Sequence, residues 1–438
     1  MLRKIGLVLR SPLILISFSA FIIASIINLI QGVETLGVDD AESYVSQSHL
    51  LLSGWTNIVN NGELFSHGIG FSFIIAATFL ISNSHSLLLL KIILAVGHGF
   101  STYLVARIGI YIGLRKYVWI SCAILFALDP FILLAATRVQ TESLVTLAVL
   151  YWAYLYLSPP LNKKAVKWHI SVLPLSGFLL TTVRPNVILP YLFIATLIYL
   201  KWFYDKISLT ILGFSVAIFI SLLALFEFFI IRIYEGFVFL SPVGGASAPL
   251  MCRTDFIPQY LGLISSEENQ RINKLMENAT HTTDLLLKHP NYSISEVNSA
   301  LTHLGITNCL EHPIQSLGVL IIKAFALWRP FTVFGAYGSG IFMASLIIWL
   351  PLSILAIRYI SSKALSISGN RLRVFFILLS LSFTLSLLLT QTQVRHRVAF
   401  AEPFYWIFAL HAVEIQLRRP GNLRSRFRNS VNRKALLE

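Results

Sequence analysis

Between Ser11 and Leu90 the chain contains neither lysine nor arginine, although its formal net charge is +14. Loops poor in Lys and Arg are the ones that cross a membrane, so this absence argues against a cytoplasmic position for the first connecting loop. Charge of either sign is scarce: 12% of the residues are Asp, Glu, Lys or Arg, against 56% hydrophobic. That balance excludes an ordinary soluble domain. The basic excess sits in short loops and at the C-terminus, not on a polar domain, so it gives no footprint for nucleic acid. Cysteine is nearly missing as well. Cys122 falls in an apolar run, whereas Cys252 and Cys309 share the one long polar segment. Their spacing fits no zinc motif and leaves open a disulfide in an exported loop. No internal repeat or low-complexity tract is present.

What is abundant is apolar sequence, with a mean hydropathy of +0.74. Twelve apolar runs can be read, at 12–30, 67–83, 88–108, 117–136, 141–157, 169–183, 187–203, 207–231, 316–332, 340–357, 372–391 and 403–417. The first follows Arg3, Lys4 and Arg10 and lacks a small-residue cleavage site, so it reads as a retained helix and not as a signal peptide. Letting all twelve span places Arg115-Lys116 and the basic stretch Arg358 to Arg373 outside, against the positive-inside rule. Two runs are weaker. "HGIGFSFIIAATFLISN" (67–83) is short and polar at both ends, and 316–332 carries Lys323 and Arg329. With these two as outer juxtamembrane helices, ten spans remain and most Lys and Arg fall on the inner side. The expected architecture is therefore an all-α polytopic membrane protein of about ten transmembrane helices with outer juxtamembrane helices. It divides into an N-terminal transmembrane module (1–231), an outer subdomain (232–315), C-terminal transmembrane helices (316–417) and a basic cytoplasmic tail (418–438). Both termini are expected in the cytoplasm. Asn278-Ala-Thr and Asn291-Tyr-Ser in the outer subdomain match the glycosylation pattern.

This topology sends the isolated ionisable clusters to one surface. Asp39, Asp40 and Glu42 follow the first run and open a segment whose Ala41, Tyr44, Val45, Ser48, Leu51 and Leu52 share one arc, as in an interfacial helix. Helix capping accounts for one Asp and not for three acids. Glu142 opens a later run, near Arg138 and next to Thr141, where it serves either as a first-turn acid, as half of a surface pair or as a functional carboxylate. Arg184 in "TTVRPN" stands where Pro185 breaks a helix and either faces a cavity or anchors at the interface. In "QTQVRHRVAFAEP", Arg395 and Arg397 flank His396. Arginine pairs bind phosphate through parallel hydrogen bonds, and lipid headgroups offer the same chemistry. His67 and His98 have no second ligand at metal spacing and read as structural. Asp129 and Glu227 lie within runs and are left without a role.

"DDAES", "LDPFILLAATRVQTESL", "TTVRPN" and "RHRVAFAEPF", in this order after the first helix, resemble the GT-C glycosyltransferases. The nearest branch contains the dolichyl-phosphate-mannose–protein mannosyltransferases and the lipid A aminoarabinose transferase. The likeness covers residues 12–200 best and the last fifty more loosely, and segment 232–315 has no counterpart. Here His396 stands where the family has an aromatic, and Ala399 where Pro is common. The resemblance implies an inverting transfer, on the non-cytoplasmic face, of a sugar from a polyprenyl-phosphate donor to a hydroxyl-bearing lipid, glycan or protein. It implies Asp39 or Asp40 as catalytic base and Glu142 as second acid, with Arg184, Arg138 and Arg395 or Arg397 holding phosphate. No cofactor is implied, and no ligand set for a divalent cation is legible. The host membrane would be a bacterial inner membrane, or the ER membrane in a eukaryote. Competing classes are a lipid or polysaccharide transporter or flippase, and a lipid-linked polymer ligase. A transporter would carry paired charges in mid-span and broken helices in matching repeats, neither of which is evident in the sequence.

Overall fold

In the computed structural model, residues 11–36, 39–54, 68–158, 163–205, 207–234, 252–261, 294–330, 334–362, 365–388 and 394–418 are described, with a few positions between 265 and 274. All the regular elements among them are helices. The first, α1 (Pro12–Gln31), begins with Pro at its first turn and stops at Gly32, whose φ of 88° suits glycine alone. Then follow α2 (Asp39–Ser53), α3 (Ile69–Ser82), α4 (Leu88–Tyr111), α5 (Lys116–Leu128), α6 (Pro130–Thr137), α7 (Glu142–Leu157) and α8 (Lys163–Val183). A 3-10 turn, Pro185–Val187, leads into α9 (Ile188–Tyr204) and α10 (Leu209–Tyr234). The remainder comprises α11 (Ile257–Leu261), α12 (Ile294–Glu311), α13 (Pro313–Trp328), α14 (Phe334–Ile360), α15 (Ile367–Leu388), α16 (Val394–Phe400) and α17 (Glu402–Arg418).

Among the described residues six helices are long and apolar enough to cross a membrane: α1, α4, the 3-10 turn with α9, α10, α14 and α15. Two bent pairs raise this to eight if each is one span: α5 with α6, bent by 54°, and α12 with α13, bent by 107°. The chain is thus an all-α, multi-pass membrane protein. Of the other runs read as spans, α7 and residues 168–183 form apolar helices short of that length, and α17 has 17 residues. Leu15, Phe18, Leu29 and Ile30 on α1 and Leu209, Phe214, Ile220 and Leu225 on α10 are exposed, as lipid-facing side chains should be.

Helices α2 and α3 are too short to span: 15 and 14 residues reach about 22 Å against about 30 Å of hydrocarbon. They pack on each other, with Tyr44 edge-on to Phe71 at 4.9 Å and Ser72 Oγ donating to Gln47 Oε1 at 3.0 Å. The apolar arc of α2 is therefore covered by α3, where an interfacial helix would have turned it to lipid. Helix α3 also lies hard against the last turn of α8. A Cβ on Gly70 would come within 2.7 Å of the Thr182 carbonyl carbon, so only glycine allows this approach. Likewise α1 and α4 meet at Gly99, where a Cβ would sit 2.8 Å from Ser17 O, small residues being what brings helix backbones together in lipid.

The molecule has two poles. At one, Leu36 O accepts from Val139 N (3.3 Å), Lys91 Nζ donates to Gly32 O (3.0 Å) and Ser386 Oγ donates to Asn186 O (2.5 Å). These bonds gather the end of α1, the start of α4, the α6–α7 turn, the end of α8 and the end of α15. At the other pole Ser366 Oγ donates to Ile112 O (3.3 Å), Arg115 pairs with Glu414 (3.5 Å) and Arg373 donates to Ile360 O and Ser362 O. The basic loops around Arg115 and Arg373 thus meet away from the acids.

Cys252 and Cys309 form a disulfide, with their Cα atoms 5.4 Å apart and 57 residues of separation. The bridge ties the polar segment to α12, and Tyr260 of α11 packs with Val319 and Ala326 of α13. By the chain-entropy account a loop of this length is stabilised by about 4 kcal/mol. Cys252→Ser should therefore leave the transmembrane helices folded but make residues 252–311 the first site of limited proteolysis, read on gels with and without reductant.

Candidate functional site

At the first pole the α6–α7 turn, the end of α8 and the start of α2 come together. Ala41 of α2, Val139 of the turn and Val183 of α8 share one buried apolar cluster with Phe71, Leu90 and Leu94. Each of the three is within one or two residues of a charged residue: Asp39 and Asp40, Arg138, and Arg184. The cluster thereby sets the acids of α2 and the two arginines around a common apolar plug. Asp40 is half-buried and Glu42 exposed, while the side chain of Asp39 lies outside the described positions.

Glu142 and Arg184 are 42 residues apart in sequence and form an ion pair at 3.1 Å, with side-chain exposures of 7% and 14%. Arg184 Nη1 also donates to Thr141 Oγ1 at 3.4 Å. Of the alternatives for these residues, the fold selects Arg184 as the partner of Glu142, and Arg138 takes no part. Arg138 is half-buried, burial lowers its pKa below the usual arginine value, and among the described residues it has no carboxylate in ion-pair range. The pair is recessed. Gly97 of α4 faces Ser143, and Gly97 is about 13 Å along the helix from Leu88 at ~1.5 Å per residue. Glu142 therefore lies below the rim of the bundle, at the depth of the acyl chains' outer part if α4 spans.

Arg397 is placed elsewhere than among accessible phosphate ligands. It is fully buried; its Nε donates to Glu402 Oε1 at 2.8 Å and its Nη1 to the carbonyls of Trp328 (3.0 Å) and Arg329 (2.6 Å). Its guanidinium lies over the Trp349 ring at 4.8 Å. Helix α16, which carries it, is fastened to α7 by Thr146 Oγ1 donating to Ala399 O at 2.9 Å, one turn beyond Glu142. The side chains of Arg395 and His396 lie outside the described positions, as do His67, Asn278, Asn291 and the tail from 419 onward.

Asp129 caps α6, accepting from Phe131 N (2.9 Å) and Ile132 N (3.1 Å), and takes the Trp406 indole N–H at 3.0 Å. His98 is buried with Nε2 3.1 Å from Ala127 O, in keeping with a structural role. Asp129, Arg397 and Glu402 are ionisable, buried and inside the helix bundle. Arg397 and Glu402, five residues apart, pair inside the bundle, and the distant Asp129 joins them through Trp406. Among the described residues no group of three or more His, Cys, Asp or Glu is placed to hold a metal ion.

The fold defines a class, an α-helical multi-pass membrane protein. No protein-family profile matches the chain, and no curated protein or solved structure matches it either.

Proposed function

We propose that the chain is an integral-membrane glycosyltransferase that moves a sugar from a polyprenyl-phosphate donor to a hydroxyl acceptor at the pole bearing α2 and α3. What supports this reading most is the recessed Glu142–Arg184 pair, with Val139, next to Arg138, and Ala41, next to Asp40, in one apolar cluster with Val183, next to Arg184. A guanidinium held by a carboxylate below the bundle rim suits a phosphate delivered from within the bilayer on an apolar tail. The acceptor oxygen attacks the anomeric carbon and the bond to the phosphate oxygen breaks. The hydroxyl proton passes to Asp39 or Asp40, and the departing polyprenyl phosphate takes the electron pair. Arg184, Arg138 and Arg395 would offset its charge, while Glu142 holds Arg184 in place. Attack opposite the leaving group inverts the anomeric centre. Arg397 would act through α16 and not on the phosphate.

A transporter or flippase for such lipids is the second reading, favoured by the buried charges around Arg397 and the break between α5 and α6. Purified protein in liposomes separates the two. Transferase activity predicts consumption of polyprenyl-phosphate sugar with release of polyprenyl phosphate, and none of a nucleotide sugar. Movement of intact lipid across the bilayer without cleavage would instead support transport and reject the enzyme.

A further inference from the structure

The group of buried charges around Arg397 plays no direct part in the proposed chemistry, yet its balance is unusual. It contains two carboxylates, Asp129 and Glu402, and one guanidinium, Arg397, at 1%, 0% and 0% exposure. Glu402 and Trp406 lie one turn apart on α17, and Trp406 donates to Asp129, so the two carboxyls face the same space and act on each other electrostatically. The groups around them from the packed helices are the Trp328 and Arg329 carbonyls of α13, the Trp349 ring of α14 and Tyr405 of α17. Of these residues only Arg329 carries a charge, and its guanidinium donates to the Tyr260 carbonyl. Ionised throughout, the three side chains would carry a net charge of −1 in a medium where an uncompensated charge is expensive.

The two carboxyls are not equivalent. Asp129 accepts three N–H bonds and sits at the positive end of α6, which favours its ionised form. Glu402 accepts from Arg397 on Oε1 only, and among the described residues no donor reaches its buried Oε2. An oxygen without a donor is where a proton adds at least cost.

We propose that Asp129, Arg397 and Glu402 form a buried proton-binding site, in which Glu402 carries the proton on Oε2 and Arg397 balances Asp129. The site is neutral as a whole, which lets α16 and α17 close over the α5–α6 break. It stands independently of the transferase reading, since the geometry serves an enzyme or a transporter equally.

Infrared spectroscopy of the full chain in lipid nanodiscs tests it through the C=O stretch of a protonated carboxylic acid at neutral pH. The band should be present in the wild type and absent from Glu402→Gln. It should also vanish in Asp129→Asn, because Arg397 then balances Glu402 alone and the proton leaves; Asn keeps the helix cap. A wild type without the band, or a band that survives in folded Glu402→Gln, overturns the proposal. If Glu402→Gln fails to fold, Asp129→Asn decides, since a band unchanged there means that the carboxyls are not coupled.

Discussion

Replacing Asp39 and Asp40 by Asn, one at a time, should lower sugar transfer from a polyprenyl-phosphate donor by about 10²- to 10⁴-fold in one of the two variants, the range for losing a general base. Asparagine keeps the size and helix-start preference of aspartate, so α2 should still form and pack on α3. The base must be the carboxylate and not the helix, because α2 is fixed by Tyr44 on Phe71 and Gln47 on Ser72, well along from its acidic start. Protein yield and thermal midpoint should therefore match the wild type, separating a chemical loss from a folding one. Full activity in both variants would reject the catalytic base. Glu42, exposed on the same turn, serves as the control, and Glu42→Gln should be silent.

The largest effect on stability belongs to Arg397. Arg397→Met should cost about 3–5 kcal/mol, the range for removing one partner of a buried ion pair. The variant keeps an apolar side chain over Trp349 but strips donors from Glu402 and from the carbonyls of Trp328 and Arg329. The thermal midpoint in one detergent checks this. The double variant Arg397→Met with Glu402→Met should recover only part of the loss, since Glu402 is then no longer left without its donor although Asp129 still lacks its counter-charge. A single variant as stable as the wild type would mean that the pair does not hold α13, α16 and α17 together. Arg138→Gln should change stability little, because among the described residues Arg138 has no ion-pair partner to leave behind.

The membrane class and the modest role of residues 67–83 were legible because they rest on composition and run length, which a sequence carries directly. The 14-residue α3 is short because Gly68 and Asn83 bound it, and both are visible in the text of the chain. Pairing across sequence is another matter. Glu142 has Arg138 four residues away, yet its partner is Arg184, because Pro185 turns the end of α8 toward the start of α7. Arg397 and Glu402 are five residues apart and look like an exposed basic cluster followed by an ordinary first-turn acid. Only the packing of α14 and α13 around them shows that both are enclosed. Lys323 and Arg329 weaken run 316–332 as a span, and the sequence does not show that both are buried, on Leu388 O and Tyr260 O. The arc on α2 reads from its sequence as that of an interfacial helix, whereas Tyr44 and Gln47 meet Phe71 and Ser72 of α3, a partner that spacing along one helix does not reveal.

The most direct measurement is a cryo-EM structure of the full chain in nanodiscs with a polyprenyl-phosphate sugar bound. The account predicts the phosphate within hydrogen-bonding distance of Arg184 or Arg138, the sugar between it and the start of α2, and the tail running along the bundle at the depth of Glu142. A headgroup seated at the opposite pole, among Arg115, Arg358 and Arg373, would contradict it.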